Sequence, residues 1–274
     1  MSSEPATSAT PSLTPPPGAP PGGASSPAPS GWRARLLDYH RHTRGAFSGF
    51  LMGAPLTLTY ALCILLGPLA VEKRDFLIRL LISLTGERVY TGLQIGLAAA
   101  FLGLAFVLHR KGKFRPAYLG PLVVEAMVYA ALASAAVWFG LRALDLRPAF
   151  PPPDEDSFAF VVSALGEAIN EETLFRWILL EALLLLGVRV GQLRPLTARG
   201  VGLLAGAAIY AAVGIFAAPL ATSEAASLAG PLVRLGLAGL VFGCLYYARG
   251  YPVCAYTHVF YASFWRGVVP YVGL

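Results

Sequence analysis

Residues 118–141 read YLGPLVVEAMVYAALASAAVWFGL, a stretch of twenty-four residues with one charge, Glu125. A helix of that length rises about 36 Å, enough to cross a hydrocarbon core about 30 Å thick. Outward from it lie six further apolar segments, at roughly 46–71, 90–109, 158–187, 200–219, 231–248 and 251–272. Of all 274 residues 56% are apolar and only 13% are charged, where soluble domains carry about 25% charged residues. That balance excludes an ordinary soluble domain. It predicts an all-α, polytopic transmembrane helical bundle of about seven spans. The net charge of +6 does not point to nucleic acid, because Lys and Arg of membrane proteins gather in cytoplasmic loops.

Three regions are expected. Residues 1–45 form a Pro/Ser/Ala-rich tail followed by a basic juxtamembrane segment; nine prolines and the single charge Glu4 in residues 1–31 leave little to bury. The tail lacks the basic start and apolar core of a secretory signal. Residues 46–157 hold the N-terminal transmembrane helices, and residues 158–272 a transmembrane core. With the N-terminus inside, the inner stretches hold twelve basic residues and the outer ones eight. The basic asymmetry sets orientation, so a cytoplasmic N-terminus is expected, with the acidic cluster Asp154, Glu155, Asp156 outside. Residues 75–82, DFLIRLLI, read as a short interfacial helix. Cys63, Cys244 and Cys254 show neither disulfide nor zinc-ribbon spacing.

Five carboxylates interrupt the apolar segments: Glu125, Glu167, Glu171, Glu172 and Glu181. A charge at mid-bilayer costs at least ~2.5 kcal/mol, so such residues mark function by default. Four of the five fall in residues 166–184, GEAINEETLFRWILLEALL. On a helix Glu172 and Arg176, four apart, share a face and pair in the favourable order. Glu171 lies about 100° round from Glu172, has no basic partner three or four residues away, and has a like charge, Glu167, one turn before it. A carboxyl group left over in this way suits general-base work on water. The bland alternative, that the acids only bond neighbouring helices together, stays open at this point. Glu125 and Glu181 read as packing or interface residues.

The run Glu171-Glu172-Thr173-Leu174-Phe175-Arg176 resembles the EExxxR motif of the CPBP family. These are the intramembrane proteases of the CAAX prenyl protease type 2 and bacteriocin-processing (Abi) group. Residues 231–265, PLVRLGLAGLVFGCLYYARGYPVCAYTHVFYASFW, look like the family's final helix pair. The resemblance implies roles: Glu171 as the base that activates water, Glu172 and Arg176 as orienting and neutralising groups, and His258 as a group that helps bind the developing oxyanion. It also implies a membrane-anchored protein or peptide substrate, cut near a membrane-associated segment such as a C-terminal sorting segment, and a multi-pass location in a bacterial inner membrane among membrane lipids. The Pro/Ala/Arg-rich composition fits such a source.

The chain departs from the family in three places, the first being Trp177 where a Gly usually follows the Arg. Where the pattern FxxxH is expected, the helix at 200–219 reads Tyr210-Ala-Ala-Val-Gly214; where HxxxN is expected, the last helix reads His258-Val-Phe-Tyr-Ala262. Tyr210 or Glu167 is a candidate to replace the missing imidazole. Catalytic zinc usually takes three protein ligands; Glu171, Glu172 and His258 make a poor set with Glu172 claimed by Arg176, so no metal and no cofactor is expected. Cys254 and His258 share a helical face, the spacing of a thiolate–imidazole pair, although a buried Cys more often packs as a small hydrophobe. Two other functions stay open. One is a catalytically impaired homologue that binds or scaffolds a membrane partner; the other is a proton-coupled carrier, which the lack of an internal repeat disfavours.

Overall fold

The computed structural model describes residues 31–66, 76–111, 115–146, 157–217 and 229–267. The tail before residue 31, the cluster Asp154–Asp156 and several of the loop charges counted for orientation lie outside them. Residues Met1–Asp38 and Tyr39–Leu274 form separate units, and all that follows concerns the second.

The described residues are helical, with no strand among them. The helices are α1 (Trp32–Arg44), α2 (Ala46–Met52), α3 (Ala54–Leu66), α4 (Phe76–Thr85), α5 (Glu87–Arg110), α6 (Leu119–Ala143), α7 (Ser157–Glu171), α8 (Glu181–Arg189), α9 (Pro195–Ala217), α10 (Ala229–Arg249) and α11 (Tyr251–Gly267). Between α7 and α8 the chain winds as a π-helix, Glu172–Leu180. The expected α-helical reading of 166–184 is corrected here: the backbone changes winding at the Glu171–Glu172 junction. Such insertions are rare and gather at functional sites.

Among the described residues, four stretches are long and apolar enough to cross a membrane: Glu87–Arg110, Pro116–Ala143, Pro195–Phe216 and Ala229–Arg249. Their surfaces agree. On α6 the residues Leu122, Ala126, Ala130, Ala133, Val137 and Leu141 are buried, a stripe repeating every three to four positions. The opposite face is also apolar, with Val124, Val128, Leu132 and Phe139 more than half exposed. A helix apolar all round needs a non-aqueous surrounding. The segment expected at 75–82 is indeed a short helix, α4.

The core that carries the site is made by α6, α7, α9, α10, α11 and the π segment. Helices α9 and α10 approach closely because Gly239 faces Ala207: a Cβ at Gly239 would sit 3.0 Å from the Ala207 Cα, the small-residue contact typical of membrane helix pairs. The turn from α10 to α11 is a single residue, Gly250, at φ 86°. It donates its N–H to the carbonyl of Tyr246 at 2.8 Å, and a Cβ there would meet the carbonyl oxygen of Thr43 at 3.0 Å. Only glycine takes that left-handed position without strain. Pro252 follows at once, where a helix start tolerates it. This tight reversal fixes where α11 begins, and so how deep His258 lies.

Two of the five acids act as fasteners. Glu125 on α6 accepts from Arg249 at the end of α10, Nε at 2.5 Å and Nη2 at 2.7 Å, and from the Tyr39 hydroxyl at 2.5 Å. Glu181 accepts from the Tyr246 hydroxyl at 2.9 Å.

Candidate active site

The remaining acids face α11. Glu172, fully buried at the start of the π segment, accepts two hydrogen bonds and faces one cation. At Oε1 it meets the Nδ1 of His258 at 2.7 Å and, at 3.5 Å, the Nη1 of Arg176. At Oε2 it meets the thiol of Cys254 at 2.9 Å. The expected Glu172–Arg176 pair is therefore present. A buried carboxylate needs this much company, because an unpaired charge in a low-dielectric interior is far costlier than a paired one.

Glu171 points elsewhere. Its Oε2 accepts a hydrogen bond from the Tyr210 hydroxyl at 2.6 Å, and the Nε2 of His258 lies 3.9 Å from the same oxygen. That span is too long for a direct hydrogen bond and suits two groups bridged by one small oxygen species. The imidazole thus stands between both acids of the motif, one nitrogen for each. Phe242 stacks on it, centroids 4.8 Å apart. Glu171, Glu172, Arg176, Tyr210 and His258 are all at most 5% exposed.

Arg176 joins the two halves. Its guanidinium lies 4.3 Å above the Tyr210 ring and 5.6 Å from the Phe242 ring, cation–π contacts of the kind worth ~2 kcal/mol when desolvated. Among the described residues its Nη1 and Nη2 make no hydrogen bond. A buried cation with unspent donors is well suited to receive negative charge that develops on a neighbour.

Glu167 approaches as well. One ligand atom each from Glu167, Glu171 and His258 lie within 4.8 Å of one another. The set weighed for a metal from the sequence contained Glu172 instead. The fold gives Glu172 to Arg176, His258 and Cys254, and presents Glu167 beside Glu171. Two carboxylate oxygens and an imidazole nitrogen match catalytic zinc in donor type.

The fold brings together all four residues singled out as catalytic, Glu171, Glu172, Arg176 and His258. It does not pair Cys254 with His258: the thiol lies 2.9 Å from Glu172 Oε2 and 3.2 Å from the carbonyl of Phe242, a packed, bonded group. Nor does a side chain fit easily at Gly214, where a Cβ would come 2.7 Å from the Leu235 Cδ1. The contribution of Phe242 was missed, since one Phe among fifteen carries no signal of a stacking role.

A separate apolar cavity of about 440 Å³ opens between α6 and α11, lined by Ala130, Ser134, Trp138, Phe260, Phe264 and Trp265 among others. Trp265 touches Tyr261, centroids 5.9 Å apart, and Tyr261 touches His258 at 6.2 Å.

Compared with known families, residues 153–264 match the family described as type II CAAX prenyl endopeptidase, Rce1-like. The match covers the whole of the cluster just described and is consistent with a CPBP-type intramembrane protease. No curated protein and no solved structure matches the chain.

Proposed function

We propose that this chain is an Rce1-like intramembrane endopeptidase in which Glu171 activates a water molecule against a peptide bond near the membrane-attached end of its substrate. One observation carries the reading: the His258 imidazole bonds Glu172 through Nδ1 at 2.7 Å and faces Glu171 through Nε2 across 3.9 Å. With Nδ1–H committed to Glu172, the ring is held as a carboxylate-oriented imidazole. Water bridging Nε2 and Glu171 gives a proton to the Glu171 carboxylate as its oxygen bonds the carbonyl carbon. The carbonyl π electrons move onto oxygen, where the Arg176 guanidinium offsets the new charge. Glu171 then passes the proton to the amide nitrogen as the C–N bond breaks.

The apolar cavity between α6 and α11 supports a lipid-bearing substrate, and the family description names prenylated CAAX ends. We place the protein as multi-pass in a bacterial inner membrane, seven spans with the N-terminus cytoplasmic, lipids and a membrane-anchored protein as its partners. The test is cleavage of a prenylated CaaX-type peptide, with fluorophore and quencher flanking the cysteine, by the purified full chain in proteoliposomes. Glu171→Gln is expected to lower the rate at least ~10²-fold, as loss of a general base does. Full activity in that variant removes the glutamate mechanism. The other reading, a non-catalytic membrane scaffold, is favoured by Gly214 and Ala262 standing where the family carries His and Asn; wild-type protein that binds the peptide without cutting it selects that reading.

A further inference from the structure

Tyr210 enters the site from α9, a helix that contributes none of the motif residues. Its hydroxyl is 2.6 Å from Glu171 Oε2. Its ring is fixed from two sides, by the Arg176 guanidinium 4.3 Å above it and by Phe175 edge-on, centroids 5.1 Å apart. A phenol locked at three points cannot follow a swinging carboxylate. The carboxylate must follow the phenol.

We infer that Tyr210 is a positioning residue for the reaction: it holds Oε2 of Glu171, the oxygen that faces His258 Nε2 across 3.9 Å, in place for the attacking water. The inference rests on the reading of Glu171 as the base. A terminal carboxylate torsion is broad and weakly restrained by itself, whereas productive geometry must be held within about 0.5 Å and 10–20°. Tyr210 keeps its own proton throughout: the proton taken from water travels on Glu171 and leaves with the amine. The device also bears on the chain's departure at position 214. Tyr210 and Gly214 are one turn apart on α9, a Cβ at Gly214 would come 2.7 Å from the Leu235 Cδ1, and the longer side chain one turn earlier supplies a hydrogen-bond donor to Glu171.

The experiment compares wild type, Tyr210→Phe and Glu171→Gln as full chains in proteoliposomes, with the prenylated CaaX-type peptide as probe. Phe keeps the ring against Arg176 and Phe175 and removes only the donor. Thermal unfolding of each variant separates misfolding from mispositioning. The expected result is kcat reduced ~10–100-fold with KM within twofold, since a misplacement of about 1 Å costs rate rather than binding. A kcat within twofold of wild type, or a change confined to KM, overturns the inference while leaving Glu171 as base. An active Glu171→Gln overturns the base itself. A second measurement needs no turnover: in protein carrying [ζ-13C]tyrosine, the resonance lost in Tyr210→Phe is expected to shift in Glu171→Gln. If it stays put, Tyr210 does not hold Glu171 and the inference falls.

Discussion

The thiol of Cys254 lies 2.9 Å from Oε2 of Glu172, on the side of the carboxylate opposite the imidazole. Cys254→Ser keeps a donor there and is expected to be neutral. Cys254→Ala removes it, and losing a hydrogen bond to a buried charged group costs about 1.5–3 kcal/mol. The expected outcome is a lowered unfolding midpoint with cleavage within severalfold of wild type. Complete inactivity of a folded Cys254→Ala would return the thiol to the list of nucleophiles. The residue has no exposed surface, so a thiol-alkylating reagent is expected to leave the native protein active.

Arg176 is the costliest residue to change. Truncation to Ala strands Glu172 without its cation and strips the Tyr210 and Phe242 rings of their guanidinium, and breaking a buried pair costs about 3–5 kcal/mol. Arg176→Lys keeps the charge but not the planar group stacked on aromatic faces. Both variants are expected to unfold at lower temperature, with Lys intermediate in denaturation assays. Equal stability in all three proteins contradicts the role assigned here.

Glu125 and Arg249 offer the control. Their paired hydrogen bonds at 2.5 and 2.7 Å join α6 to the end of α10, away from the Glu171 cluster. Glu125→Gln is expected to destabilise by about 1–3 kcal/mol while kcat of the folded fraction stays near wild type. A selective fall in kcat at unchanged stability would mean that this pair belongs to the chemistry.

Metal dependence separates two uses of one cluster. Glu167, Glu171 and His258 meet in a way that suits a cation in donor type, yet the hydrolytic steps proposed use only the side chains of Glu171, His258 and Arg176. Activity is therefore expected to survive prolonged treatment with a strong chelator. Loss that added zinc reverses would reassign Glu171 from base to ligand.

How much of this was legible beforehand differs by residue. The membrane class followed from nearly uncharged runs such as 118–141, because burial in lipid acts on every residue of a helix at once. The Glu172–Arg176 contact followed from spacing, and it holds at 3.5 Å although the backbone there is π rather than α. The winding itself left no trace in residue types, since i→i+5 bonding has no composition of its own. Partners across helices were legible only in part: Tyr210 stood as one of two replacements for the missing imidazole, and Cys254 as a partner of His258 rather than of Glu172. Tyr210 and Cys254 reach the two acids over sequence separations of 39 and 82, and only packing decides which of many buried aromatic and thiol groups arrive. His258 was found through resemblance, but its place between both carboxylates was not.

A π-helix closes its hydrogen-bonded loops over one more residue than an α-helix does, which makes Glu172–Leu180 the imprint of a surplus residue. Excising Leu179 lets the stretch relax into ordinary winding while the segment keeps its length class and its greasy character. The wider winding has already absorbed the extra residue, so α8 is expected to keep its facing toward α9 while the positions between, Arg176 among them, turn relative to Glu171. A shortened protein of this kind is expected to keep its outer surface and lose its inner constellation.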